Sequence, residues 1–302
     1  MKDRVVDSTT SLFSHGPQPL ADTLRYRGDP GLLGPGSVSW EVIGDATAFV
    51  GGIRALIIQT AHPEVVAGVE DHSRYRTDPL GRLTRTSFYV TETTYGAMPE
   101  VERAVAMVNR AHRPVSGVSE RGEPYSAADP ALAAWVHNVL TDSFLTAFRA
   151  YGPRALSPDE ADRFVAEQAR IGRLLGADPL PLDADTLSAW IADHPALATS
   201  AAQRSAVEFL RRPPLSAPVR VAYGRLFDAA VATVPVRIRD LVGVDPSRFA
   251  GRVGGIGLGA LRWALGSSPS WHVALVRTGS EVPEGRFRQP LRSDRPASDS
   301  SP

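Results

Sequence analysis

Apolar residues recur every three or four positions along most of this chain, and the punctuation between the runs is that of helix ends. In SWEVIGDATAFVGGIRALIIQTA (39–61), Val42, Ala46, Phe49, Ile53 and Leu56 share one stripe, as on an amphipathic helix. Asp78-Pro79 reads as an N-cap followed by a first-turn proline, and Gly96 as the stop, which predicts a helix over 79–95. Pro99 opens another that ends near His112, before Arg113-Pro114. Asp129-Pro130 opens a third running to Tyr151, where Gly152-Pro153 stops it. Ser157-Pro158-Asp159-Glu160 is a capping box, with Gly176 closing the helix behind it. Shorter helical runs follow: DTLSAWIADH, AAQRSAVEFLRR, VAYGRLFDAAVATV and GLGALRWALG. WHVALVR (271–277) fits a short strand or a last helical turn.

The pattern predicts an all-α protein with one multi-helix domain over 35–278. Residues 1–34 are polar and carry RGDPGLLGPG, which reads as an arm or a folded-back loop. Residues 279–302 are rich in Pro, Ser and charge, and are expected to be a disordered tail. Gly51-Gly52 breaks the logic of its stripe, because each glycine costs about 1 kcal/mol against alanine in a helix interior. The pair implies close approach of another backbone or a flat ligand, or a break between two helices.

Hydrophobic residues make up 43% of the chain and charged residues 22%, as in ordinary globular proteins. Lys+Arg and Asp+Glu balance at 33 each, so no global field favours nucleic acid. There is no cysteine, which removes disulfides, zinc–thiolate and iron–sulfur sites and a thiol nucleophile. MKDRVVDSTTSLFSHG shows no secretory h-region, and no run reaches the roughly 20 apolar residues that span a bilayer. A cytoplasmic protein with no transmembrane segment is the expectation, and a homodimer is compatible with it.

One stretch gathers chemistry. Residues 60–90 hold His62, His72, Arg74, Arg76, Arg82 and Arg85. On the helix 79–95, Arg82, Thr86, Tyr89 and Thr93 share a face: either a wet polar stripe, or a fixed cation and a hydroxyl turned to a ligand carboxylate. His62 precedes a proline at a helix boundary, and His72 precedes a polar loop beside Glu70 and Asp71. His112 continues the stripe of Val101, Val105 and Val108, and His137 shares a face with Leu140, Phe144 and Phe148. A histidine on an apolar stripe must find a hydrogen-bond partner or bind something. Glu160 and Glu167 read as a solvated helix face. HExxH, GxxxxGK[ST] and GxSxG are all absent, and GIGLGALR follows no strand.

Taken in order, GGIRALIIQTAHPEVVAGVEDHSRYRTDPLGRLTRTSFYVTETTYG (51–96), NRAHRPVSG (109–117) and WVHNVLTDSFLTAFRAYG (135–152) resemble the rubber oxygenase (latex clearing protein) and MpaB-type oxygenase catalytic domains. The resemblance covers about 35–235. It implies an all-α fold and, for rubber-cleaving members, a b-type haem on one proximal histidine, with O2 as co-substrate for cleavage of an isoprenoid double bond. By position it makes His112 the axial iron ligand and places Arg82 and Thr86 in the sheltered site near the haem. Arg85 stands where those members can carry a lysine able to reach iron; arginine stays protonated and is a very poor ligand. Glu64, Glu70 and Asp71 are the candidates for a proton-abstracting acid. The implied substrate is an apolar small molecule, isoprenoid- or lipid-like, and the Arg-rich run would meet the haem propionates. His62, His72 and His137 would act around the haem or, in a second reading, join His112 in a non-haem iron site. A third reading is a non-catalytic helical ligand-binding protein.

Overall fold

The computed structural model describes residues 18–289. Thirteen α-helices and one two-stranded hairpin make up its regular structure, with a 3-10 turn at Thr23–Tyr26 and an isolated bridge between Gly266 and Phe287. In chain order these are α1 (Val38–Gly44), α2 (Thr47–Gln59), α3 (Pro63–His72), α4 (Pro79–Tyr95) and α5 (Met98–His112). The antiparallel pair β1 (Ser116–Val118) and β2 (Pro124–Ser126) follows, then α6 (Pro130–Tyr151), α7 (Pro158–Leu174), α8 (Ala184–Ala192) and α9 (Ala201–Arg211). The last four are α10 (Ala217–Val231), α11 (Val236–Val242), α12 (Ala250–Leu265) and α13 (Pro269–Thr278). The fold is all-α.

The helix starts work as their sequences suggest. Asp78, Asp129 and Ser157 each accept a backbone N–H of the first turn, from Gly81, Ala131 and Glu160, and a proline follows each cap. The stripe over 39–61 is two helices, and the break falls at Asp45. Its carboxylate takes the Thr47 N–H at 2.9 Å and the Arg262 guanidinium at 2.7 and 2.9 Å. WHVALVR is helical within α13, because burying Trp271, Ala274 and Leu275 needs a helical period. Glu167 differs from its expected solvated face: it accepts the N–H groups of Val38 and Ser39, capping α1 from across the core.

The core centres on α2 crossing α6. A Cβ added at Gly51 would lie 2.7 Å from Phe144 Cδ1, 3.0 Å from Phe144 Cα and 3.1 Å from the Ser143 carbonyl, whereas one at Gly52 would meet nothing within 4 Å. Of the alternatives for the glycine pair, close backbone approach is the one realised, at Gly51. Beside it the buried Arg54 donates to Asp142 Oδ2 at 2.7 Å, to Ser143 Oγ at 2.8 Å and to the Thr233 carbonyl at 3.2 Å.

Segments at both ends of the domain meet over the α4–α5 turn. Arg277 of α13, 1% exposed, donates to the Tyr95 carbonyl, Thr23 Oγ1 and the Asp29 carbonyl. Glu92 Oε1 accepts the Leu20 N–H at 2.9 Å. At the start of the expected tail, Ser267 N–H donates to the Arg286 carbonyl and the Phe287 ring stacks on His272 at 4.6 Å. The remainder of the expected arm and tail, 1–17 and 290–302, lies outside the described residues.

Gly51→Ala should destabilise by about 1–3 kcal/mol in chemical denaturation, because α6 backbone must move, while Gly52→Ala should stabilise by up to about 1 kcal/mol. Equal effects at the two positions would contradict the crossing geometry. A second prediction concerns Glu92, whose pKa burial raises from 4.5 to about 7, with the neighbouring Glu100 adding to the rise. The fold holds a proton that the unfolded chain has released, so this group's contribution to stability falls as pH rises through that window and is fully lost above about 7. Glu92→Gln keeps the Leu20 acceptor and should flatten the decline in Tm between about pH 5 and about pH 8. An unchanged slope would assign the titration to another group.

Candidate cofactor site on the α4–α5 hairpin

A short link joins α4 to α5, and beside it Arg103 of α5 lies 3.7 Å from Glu92 of α4. Nine residues further from the turn, about 13 Å along both axes, Leu83 of α4 comes level with His112 of α5. Arg82, Arg85 and Thr86 occupy the same level. The four residues singled out there thus share a height on the hairpin, and no hydrogen bond or ion pair among the described residues joins His112 to any of the other three.

The cations of this stretch are not equivalent. Arg76 pairs with Glu70 at 3.2 Å and also donates to Ser205 Oγ. Arg85 pairs with Asp78 at 3.2 Å. Arg74 is exposed. Arg82 is half-buried and has no carboxylate or hydrogen-bond acceptor among the described residues; its guanidinium lies 5.8 Å from the centre of the Tyr75 ring. Burial pulls its pKa down, opposed by Tyr75 and reinforced by Arg85. An unneutralised, partly desolvated cation is costly, and an anionic ligand would remove that cost. Tyr89, one turn beyond Thr86, has its hydroxyl buried with no partner, and so has Thr84. Thr86 itself reaches solvent.

His112 closes α5. The stripe it continues is buried at Val101 and Val105 but emerges at the surface by His112, because among the described elements α5 packs chiefly on α4. Surrounding protein still lowers its pKa through burial, which keeps the imidazole neutral at pH 7, the form that ligates metals. Leu83 and Met107 on the same hairpin are exposed apolar side chains.

The other histidines are dispersed. His137 is buried in the α6–α7 contact, where Nε2 donates to the Gln168 carbonyl at 2.9 Å; burial takes its pKa to about 4. His72 is exposed and bonds the Ser116 carbonyl at 3.1 Å. His62 sits at the N-cap position of α3, not at a helix C-terminus, among Trp135, Trp190 and His194. Its Nδ1 is 3.2 Å from Glu64 Oε2, and burial brings its pKa to about 4. With Glu64 and Arg121 it lines an open concavity of about 460 Å³ beside the β-hairpin. Burial raises the Glu64 pKa, but hydrogen bonds from Arg121 at 2.6 Å and Ser119 at 2.9 Å outweigh it, and the carboxylate stays ionised. Among the described residues no three His, Cys, Asp or Glu side chains converge as a metal site needs. Of the acid candidates, Glu70 is held by Tyr75 and Arg76, Asp71 by Tyr125, and Glu64 by Arg121.

Sequence reasoning missed the His194–Trp135–Trp190 cluster and the orphaned Tyr89 hydroxyl. His194-Pro195 repeats the His-Pro pair of His62-Pro63, the one local signal that could have drawn attention to it.

Residues 40–266, three quarters of the chain, match the family described as ER-bound oxygenase mpaB/B'/rubber oxygenase, catalytic domain. The chain belongs to this family. No curated protein and no solved structure matches it. The matched span takes in the whole α4–α5 hairpin, and leaves out the arm before Trp40 and α13. The Arg277 clasp therefore reaches from outside the family domain onto the turn of its site hairpin. Arg85, within the matched span, pairs with Asp78, which gives it a local structural role.

In the ligand-free protein, Arg82→Met should leave stability unchanged or raise it by up to about 1 kcal/mol, since it removes an unpaired desolvated charge. A loss of about 2 kcal/mol or more in denaturant titration would show that Arg82 has a stabilising partner within the chain.

Proposed function

We propose that this member of the oxygenase family is a haem b-dependent oxygenase that uses O2 on an apolar, isoprenoid- or lipid-like small molecule, cleaving a carbon–carbon double bond. The observation that supports the reading is Arg82, half-buried with no acidic partner among the described residues, at the height on the hairpin where the neutral His112 imidazole stands without a partner among them. A haem asks for this set: one neutral imidazole, a cation for a propionate, and apolar side chains against the ring.

In that arrangement His112 holds the group and Arg82 fixes its orientation by a forked bond to a carboxylate. When bound, the haem supplies activation of dioxygen. Leu83 and Met107 line the approach of an apolar substrate and exclude water from it. The buried Tyr89 hydroxyl supplies a donor with no partner in the chain, and Thr86 a hydroxyl at the solvent edge. Arg85, paired with Asp78, is no candidate iron ligand, because a guanidinium has no free lone pair to offer a metal. The dispersal of His62, His72 and His137 gives a non-haem site with His112 no comparable support.

The test is haem titration of the purified chain, followed by its Soret band and iron content. Wild type should bind about one haem per chain; His112→Ala should lose the band, and Arg82→Ala should weaken binding by roughly tenfold or more. Full haem content in His112→Ala would remove that ligand assignment. No binding in wild type would leave the family fold serving another chemistry.

A further inference from the structure

The outer face of α12 is unlike the rest of the surface. Phe249, Ile256 and Trp263 are 61%, 75% and 55% exposed. They recur every seven residues, so they form one nearly straight ridge about 21 Å long. Val221 of the adjoining α10 is 67% exposed as well. Gly251, Gly255 and Gly259 keep this helix slim, and an added Cβ would meet nothing at any of them. Packing explains Gly254, whose Cβ would fall 2.5 Å from that of Ala229 on α10, and does not explain these three or Gly257, where an added Cβ also meets nothing.

The charge on this face has one sign. Arg220, Arg225, Arg248 and Arg252 are exposed, and none forms an ion pair among the described residues. No acid occurs between Ala250 and Leu265, and Asp228 is the one acid of α10. A second copy docking here would set arginines against arginines. A convex ridge with flanking cations suits a deformable, negatively charged plane.

We propose that this face docks on an anionic lipid bilayer, with α12 lying in the headgroup plane. Phe249, Ile256 and Trp263 enter the acyl boundary, and the four arginines meet lipid phosphates. No helix among the described residues is long and apolar enough to cross a membrane, so the contact is in-plane. The inference is independent of the haem reading, since α12 packs on α10 and α6 and not on the α4–α5 hairpin.

The experiment is co-sedimentation of the full chain with phosphatidylglycerol or phosphatidylcholine vesicles at low ionic strength, with tryptophan emission recorded. Phosphatidylglycerol should retain the protein and phosphatidylcholine should not. Arg248→Ala and Arg252→Ala should each weaken apparent affinity about fivefold, and the triple change of Phe249, Ile256 and Trp263 to Ser should abolish it with helical content intact. Trp40, Trp135 and Trp271 are buried and Trp190 partly so, which makes a vesicle-induced blue shift a report on Trp263 that Trp263→Phe should remove. Equal retention by both lipids, retention by neither, wild-type retention by the triple variant, or a dimer that the same substitutions dissociate would each overturn the proposal.

Discussion

The architecture depends on one close helix crossing. At Gly51 the backbone of α6 occupies the space a side chain would take, and Arg54 beside it joins Asp142, Ser143 and the carbonyl after α10 in a single buried network. A buried ion pair of this kind contributes less to net stability than to fixing one arrangement, because removing either partner strands the other charge. With α2, α6 and α10 locked together, the α4–α5 hairpin is left to pack through α1, α13 and little else. The hairpin is therefore an outlying element held by the core, and the Arg277 clasp steadies its turn.

The electrostatics on and before α4 set two local neutralisations beside a half-buried arginine that has none. Asp78 serves both as the cap of α4 and as partner of Arg85, and Glu70 holds both Tyr75 and Arg76. Arg82 is passed over. The chain stations a cation where ring and apolar neighbours desolvate it, and leaves two hydroxyls nearby without partners. Such groups lower the stability of the protein as it stands, and under the proposed function they are what an anionic, largely apolar ligand would satisfy.

Helix starts were legible because their signals are local: Asp-Pro and Ser-Pro pairs, and a capping box. The resemblance pointed to His112, Arg82, Arg85 and Thr86 as one site, and the antiparallel helices α4 and α5 put them at one height on the hairpin. Other features depend on residues far away in the chain. The reason for Gly51 is Phe144; the reason for Glu167 is the N-terminus of α1 some 130 positions earlier. Periodicity placed His112 on a core-facing stripe, yet burial needs a second neighbour, and α5 has essentially one. His137 and His62 looked alike as candidates until the Gln168 carbonyl claimed the first and an aromatic cluster surrounded the second.

The central claim is that the ligand lies against the α4–α5 hairpin. Hydrogen–deuterium exchange of the full chain, with and without haem, tests this without relying on turnover or on any substitution. The account predicts added protection over 79–95 and 98–112, strongest in the halves distant from the turn. Protection confined instead to the concavity of His62, Glu64 and Arg121, with the hairpin unchanged, would contradict it.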